Sequence, residues 1–125
     1  FNYGKMVRDF TYIDDVIEAI YLLIKKLIKN KTTYKNIQDS APYKIFNIGN
    51  SKPTNLEDYI KAIELNLNKK AKIIYEDMQP GDVKATYAST ESLENEINFK
   101  PNTSINIGIK KFISWYISYY KKPLN

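Results

Sequence analysis

Gly4-Lys5-Met6-Val7-Arg8-Asp9-Phe10-Thr11-Tyr12-Ile13-Asp14-Asp15 is the stretch on which the reading of the whole chain turns. Arg8 to Ile13 carries Phe, Thr, Tyr and Ile, which predicts a short extended piece leading straight into a helix. Asp14 and Asp15 stand at that helix start, where carboxylates complement the positive end of the helix dipole. From there Val16, Ile20, Leu23, Ile24 and Leu27 recur at three- and four-residue spacing, so an amphipathic helix is expected from about Asp14 to Lys29. Arg8 is the single arginine among 19 basic residues. A chain that otherwise writes every cation as lysine points to a need for a planar fork at this position, such as a phosphate or carboxylate held by paired hydrogen bonds. A structural salt bridge to Asp9, Asp14 or Asp15 is the alternative.

Working outward, residues 30 to 42 are polar and irregular, a loop ending at Pro42. Tyr43 to Ile48 reads as a strand stopped by Gly49. Thr54-Asn55-Leu56-Glu57 has the form of a capping box, and Leu56, Tyr59, Ile60, Ile63 and Leu67 line one face of the helix it opens. Lys72 to Glu76 reads as another strand. Gln79-Pro80-Gly81-Asp82 reads as a turn in which proline sets φ and glycine permits a positive φ. A short helix around Thr90 to Glu96 and a longer one from about Ser104 to Tyr120 complete the chain. The inner face of the last helix is expected to carry Ile105, Ile109, Phe112, Ile113 and Tyr116. The expected class is therefore α/β, or α+β taken by itself, with about four helices and two or three short strands. That is a thin sheet for so many apolar faces, and each uncovered Ile or Leu forgoes about 1.5–3 kcal/mol. The chain also opens at Phe1 and enters a motif almost at once, so a segment of a longer polypeptide is expected.

Composition removes several classes of chemistry. The 125 residues suit one domain. With no cysteine and no histidine there is neither a thiolate metal site nor the usual neutral-pH base, and no metal is expected. No apolar run is long enough for a bilayer span, and a cytoplasmic setting without membrane association is the expectation. The net charge of +5 raises nucleic acid as a partner. The lysines, however, sit mostly where helices are expected to end: Lys25, Lys26, Lys29 and Lys31, then Lys69 and Lys70, then Lys121 and Lys122. Dipole complementation accounts for them, so no nucleic-acid partner is expected.

The motifs that carry chemistry are few. Tyr-x-x-x-Lys occurs at Tyr21 and Lys25, but 11 tyrosines and 18 lysines in 125 residues give about 1.6 such matches by chance. The four glycines are isolated, so no glycine-rich loop is present to hold a dinucleotide. Asp14-Asp15 and Glu76-Asp77 lack the further ligands of a metal site. What remains are polar residues the fold does not obviously need: Asn47 at an apolar strand end, and Gln79 and Asp82 flanking the Pro-Gly turn.

Taken in order, Gly4 to Asp15, Asn47-Ile48-Gly49, Gln79 to Asp82 and Ala85-Thr86-Tyr87-Ala88 resemble the C-terminal part of extended short-chain dehydrogenase/reductase enzymes acting on nucleotide sugars, in particular UDP-glucuronate 4-epimerases. The resemblance implies that residues 1–125 are a nucleotide-sugar-binding domain, with NAD held in the intact enzyme by an N-terminal Rossmann domain outside this chain. It places Arg8 on the diphosphate, Gln79 and Asp82 near the ribose and diphosphate, and Asn47 at the edge of the same pocket. It assigns no catalytic and no cofactor-binding residue here, so the chain alone is expected to be inactive. Ser89 stands where such enzymes often have Asp, and is expected to be able to cap the following helix. The strand around Ile45 to Ile48 is expected to extend the Rossmann sheet, the exposed apolar face to drive self-association, and the enzyme to be a homo-oligomer serving polysaccharide biosynthesis. A 4,6-dehydratase or decarboxylase of the same superfamily and a stand-alone binding module are the competing readings.

Overall fold

A computed structural model describes residues 1–29 and 44–121; the loop expected at 30 to 42, Tyr43 and Lys122 lie outside them. Val7 and Arg8 form strand β1, which pairs antiparallel with β2 (Thr54–Asn55), Val7 opposite Asn55 and Arg8 opposite Thr54. Val7 also bridges Ala85 in parallel, its N–H donating to the Lys84 carbonyl at 2.9 Å and its carbonyl accepting from Thr86 N–H at 3.1 Å. Around this small sheet stand α1 (Ile13–Lys29), α2 (Leu56–Leu67), α3 (Glu91–Ile97) and α4 (Ile105–Tyr120). The expected α/β class with four helices is therefore what the chain adopts.

The strands lie elsewhere than the sequence pattern placed them. Residues 44 to 48 and 72 to 76 are in no strand, and the latter run contributes one sheet-like bond, Tyr3 N–H to the Glu76 carbonyl at 3.0 Å. A β-rich composition makes a ladder only where a second backbone runs alongside. The capping box also gives way. Thr54 belongs to β2 and turns its hydroxyl to the Lys52 carbonyl at 3.2 Å, while the first N–H of α2, at Leu56, donates to the Met6 carbonyl at 2.9 Å. The residue before β1 thus satisfies one of the N–H groups left free at the helix start. Ser89 does not cap α3 either: Thr90 is the N-cap residue, with its hydroxyl 2.6 Å from Glu94 Oε1.

The principal core lies between α2 and α4, where Ala62, Ile109 and Ile113 are buried among Tyr59, Ile63, Leu67, Ile105 and Ile117. The inner face of α4 is thus the row of isoleucines four residues apart. Phe112 and Tyr116, expected inside, join Trp115, Tyr119 and Tyr120 in an exposed aromatic cluster. Ala62 favours this arrangement, because a small residue lets the two helices approach closely along the isoleucine row. α1 shows a similar shift. Ala19 is its buried residue, and it packs against α3, whose Leu93 is fully buried. Ile20, Ile24 and Leu27 of the expected face are exposed together with Ile13 and Ile17. The helix is amphipathic as expected, but this chain leaves most of its apolar face uncovered.

Carboxylates join the helices. Asp15 accepts from Asn102 N–H at 3.0 Å, Thr103 N–H at 2.9 Å and the Thr103 hydroxyl at 2.7 Å, and so ties α1 to the entry of α4. Its role is this staple rather than the dipole term alone. Glu96 of α3 receives both Lys26 of α1 and Lys44. Those contacts, Lys26 first, hold its carboxyl down from the ordinary 4.5 to about 2.

Replacing Asp15 by Ala is expected to lower the unfolding free energy by about 2 kcal/mol, as three donors lose a charged acceptor. Asp14→Ala, which removes an exposed contact to Lys111 at 3.4 Å, is expected to cost less than about 0.5 kcal/mol. A pure dipole effect would make the two alike in urea denaturation. A carboxyl whose pKa is depressed in the folded state contributes stability that is complete above about 4.5 and lost as pH falls toward about 2. Glu96→Gln is accordingly expected to lower the melting temperature at pH 7 and to have progressively less effect between pH 4.5 and 2, read by thermal melts across that range.

Candidate nucleotide-sugar site

Arg8 leaves β1 with its guanidinium directed at Asp82, Nη2 to Oδ1 at 2.7 Å, while Nη1 donates to the Val7 carbonyl at 3.0 Å. The partner is neither Asp9, Asp14 nor Asp15 but a residue 74 positions away. Asp82 is presented by the expected turn: its N–H donates to the Gln79 carbonyl at 3.1 Å, and Gly81 takes φ +84°, as the third position of a type II turn requires. Asp82 Oδ1 also accepts from Val83 N–H at 2.8 Å, which fixes the carboxylate. The pair is about a quarter to a third exposed, with relative exposures of 23% and 32%. Among the described residues, the rest of the guanidinium's donor fork has no acceptor. Gln79 shares the turn, and its side chain is exposed.

Asn47 sits differently. Its amide donates to the Ser89 carbonyl at 3.3 Å and faces an open polar groove formed with Lys44, Ser89, Glu91, Asn95 and Glu96, in which Arg8 and Asp82 take no part. The structure therefore joins Arg8, Asp82 and Gln79, and puts Asn47 on a neighbouring surface.

Asp9, which sequence reasoning considered only as a partner for Arg8, is the residue it missed. Its Oδ2 accepts from Ser51 N–H at 3.1 Å and Ala88 N–H at 3.0 Å, and its Oδ1 from Lys52 N–H at 3.2 Å. Its own N–H donates to the Thr86 hydroxyl at 3.0 Å. One carboxylate thus holds the chain after Gly49 and the chain after Asp82 against the strand that carries Arg8. The approach needs a glycine at 49, since a Cβ there would stand 2.4 Å from the Ala88 Cβ. The only sequence signal was the Asn-Ile-Gly and Ala-Thr-Tyr-Ala runs, whose contact with each other no spacing rule reveals.

Beside β1, Phe10 stacks on Tyr59 with centroids 4.1 Å apart, and Tyr12, Thr103, Gly108 and Phe112 help line a mostly apolar cleft of about 230 Å³. Tyr21 lies exposed on α1 beneath Lys25, 5.9 Å from its ring, and belongs to none of these surfaces.

The arrangement defines a class: an α/β unit in which a strand-borne arginine and a turn-borne aspartate stand side by side. Residues 1–112 match the GDP-mannose 4,6 dehydratase family, and the chain belongs to that family. Over 127 residues it is 46% identical to Protein CapI of Staphylococcus aureus, covering 98% of this chain and 38% of that protein. It is 38% identical over 120 residues to UDP-glucuronate 4-epimerase 1 of Arabidopsis thaliana, covering 95% of this chain and 28% of that one. The crystal structure of UDP-glucuronic acid 4-epimerase from Bacillus cereus in complex with UDP-glucuronic acid and NAD superposes with a TM-score of 0.73 at 27% identity, over 96% of this chain and 35% of that one. The chain thus spans about a third of the length of the proteins it resembles.

Proposed function

We propose that this chain is the C-terminal substrate-binding part of an NAD-dependent nucleotide-sugar epimerase acting on UDP-glucuronate. The observation that carries the reading is the Arg8–Asp82 pair at 2.7 Å. A nucleoside diphosphate presents ribose hydroxyls, which donate to a carboxylate, beside phosphate oxygens, which accept from a guanidinium. A cation and an anion held in contact, with unused donors on the cation, match that junction. Gln79 on the same turn adds an amide within the exposed rim; Asn47, on the neighbouring surface, would reach the ligand only at the edge of the pocket.

The UDP-glucuronate 4-epimerases among the relatives favour epimerisation over dehydration or decarboxylation. In the whole enzyme NAD would take the hydride from C4 of the sugar and return it to the other face. The residues present here would bind and orient the nucleotide and supply no acid or base to the sugar. The remaining two thirds of the relatives' length, together with the exposed Ile13, Ile17, Ile20, Ile24 and Leu27 stripe of α1, supports an N-terminal NAD-binding Rossmann domain covering that helix. Burying that stripe is worth about 1.5–3 kcal/mol per side chain. Homo-oligomeric assembly and a part in polysaccharide biosynthesis belong to the same reading.

Calorimetric titration of the full-length enzyme with UDP is expected to show binding that Arg8→Lys weakens about tenfold or more, since a point charge cannot form the paired bonds. Equal affinity in the variant would remove the diphosphate assignment. Residues 1–125 alone, mixed with UDP-glucuronate and NAD, are expected to give no UDP-galacturonate; turnover would show that catalytic groups are present in this chain.

A further inference from the structure

We propose that Asp9 is a positioning residue for the nucleotide clamp, acting on substrate affinity through Arg8; the proposal rests on the nucleotide-sugar reading above. Three chain segments meet at its carboxylate. The β1 strand carries Arg8 immediately before Asp9, the segment ending at Ala88 begins at Asp82, and the loop through Ser51 and Lys52 follows Asn47 by a few residues. The clamp has two halves on different segments, Arg8 on β1 and Asp82 on the Pro-Gly turn. Their separation is therefore set by whatever fixes those segments to each other.

Three features do so. The Val7 to Ala85 bridge sets the register, the Thr86 hydroxyl accepts from Asp9 N–H at 3.0 Å, and Asp9 Oδ2 takes Ala88 N–H at 3.0 Å. The last two hold the stretch that leaves the turn. Gly49 brings the second loop in, and that loop's N–H donors at Ser51 and Lys52 hold the same carboxylate, Ser51 on the oxygen that Ala88 also uses and Lys52 on the other. With its acceptor sites occupied by backbone donors, Asp9 is fixed rather than free to compete with Asp82 for the neighbouring guanidinium. An amide at this position would keep one carbonyl acceptor and lose the charge, turning an N–H group toward the backbone N–H of Ser51 and Ala88 or of Lys52. The two halves of the clamp would then drift apart, and affinity for the nucleotide would fall without loss of any group that touches it.

The test is a double-mutant cycle in the full-length enzyme, with UDP as the probe: parent, Arg8→Ala, Asp9→Asn and the double variant, each titrated well below its melting temperature. Asp9→Asn is expected to raise the UDP Kd about tenfold in the parent and less than about twofold in the Arg8→Ala background. A purely structural role would lower the melting temperature and leave the Kd of the folded protein in place. Should Asp9→Asn fail to fold, Thr86→Ala removes the hydroxyl bond alone and is expected to raise Kd about threefold with the same dependence on Arg8. If Arg8→Ala leaves UDP binding unchanged, the nucleotide reading and this proposal fall together. If Arg8→Ala weakens UDP while Asp9→Asn (or Thr86→Ala, where that variant is the one used) leaves Kd within about twofold or adds fully to it, this proposal alone is overturned.

Discussion

A single carboxylate accepting three backbone N–H groups holds this structure together beside the candidate site. Strands two residues long supply few ladder bonds, and by themselves would not order the segments beside them. Asp9 supplies what the ladder lacks. Its bonds to Ser51, Lys52 and Ala88 are charge-assisted, which makes each stronger than a neutral bond of the same length. Gly49 is the steric counterpart, because the two loops can meet at one carboxylate only where a Cβ is missing.

The same device recurs elsewhere in the fold. Asp15 gathers two backbone N–H groups and a hydroxyl at the entry of α4, and Glu64 takes Ala71 N–H at 2.8 Å beyond the end of α2. Glu96 of α3 instead gathers two lysine side chains, one of them Lys26 of α1, and so links the two helices. Acidic side chains thus act as joints, which explains how a chain with a surplus of lysines keeps so many carboxylates engaged. The lysines at helix ends serve partly in these joints: Lys26 turns to Glu96 rather than acting on its own helix end alone.

Much of this was legible in the chain and some was not, for definite reasons. Local signals were reliable where they were self-contained. The three- and four-residue periodicity placed α1, α2 and α4 to within a residue or two, and Pro80-Gly81 marked a turn that forms as its residue types require. Signals that needed a partner failed. Ile45 to Ile48 has strand composition but lies in no strand of the described residues, and Thr54 to Glu57 has the form of a capping box, but Thr54 pairs in β2 and turns its hydroxyl to the Lys52 carbonyl. Which part of an amphipathic helix the chain itself covers depends on what packs there: the buried residues of α1 and α2 are the alanines Ala19 and Ala62, and periodicity carries no information about that. In the candidate site, Arg8 stood out by its rarity, and Gln79 and Asp82 by their turn. Asp9 did not stand out, because its partners are main-chain groups that leave no mark on residue type.

The rarity of Arg8 acquires a physical reason once its neighbours are in place. Its guanidinium donates to the Val7 carbonyl and to Asp82 at the same time, from different nitrogens. An ammonium at the end of a flexible stem would satisfy one of these acceptors or the other and would carry its charge wherever the stem settled. The planar fork instead leaves its remaining donors at directions fixed by the two bonds already made. Orientation of those donors thus follows from the backbone at Val7 and the turn at Asp82, and both are held relative to each other through Asp9 and Thr86. Rigidity at this point comes from main-chain groups, and the lone arginine translates it into a direction in which an anion can be received.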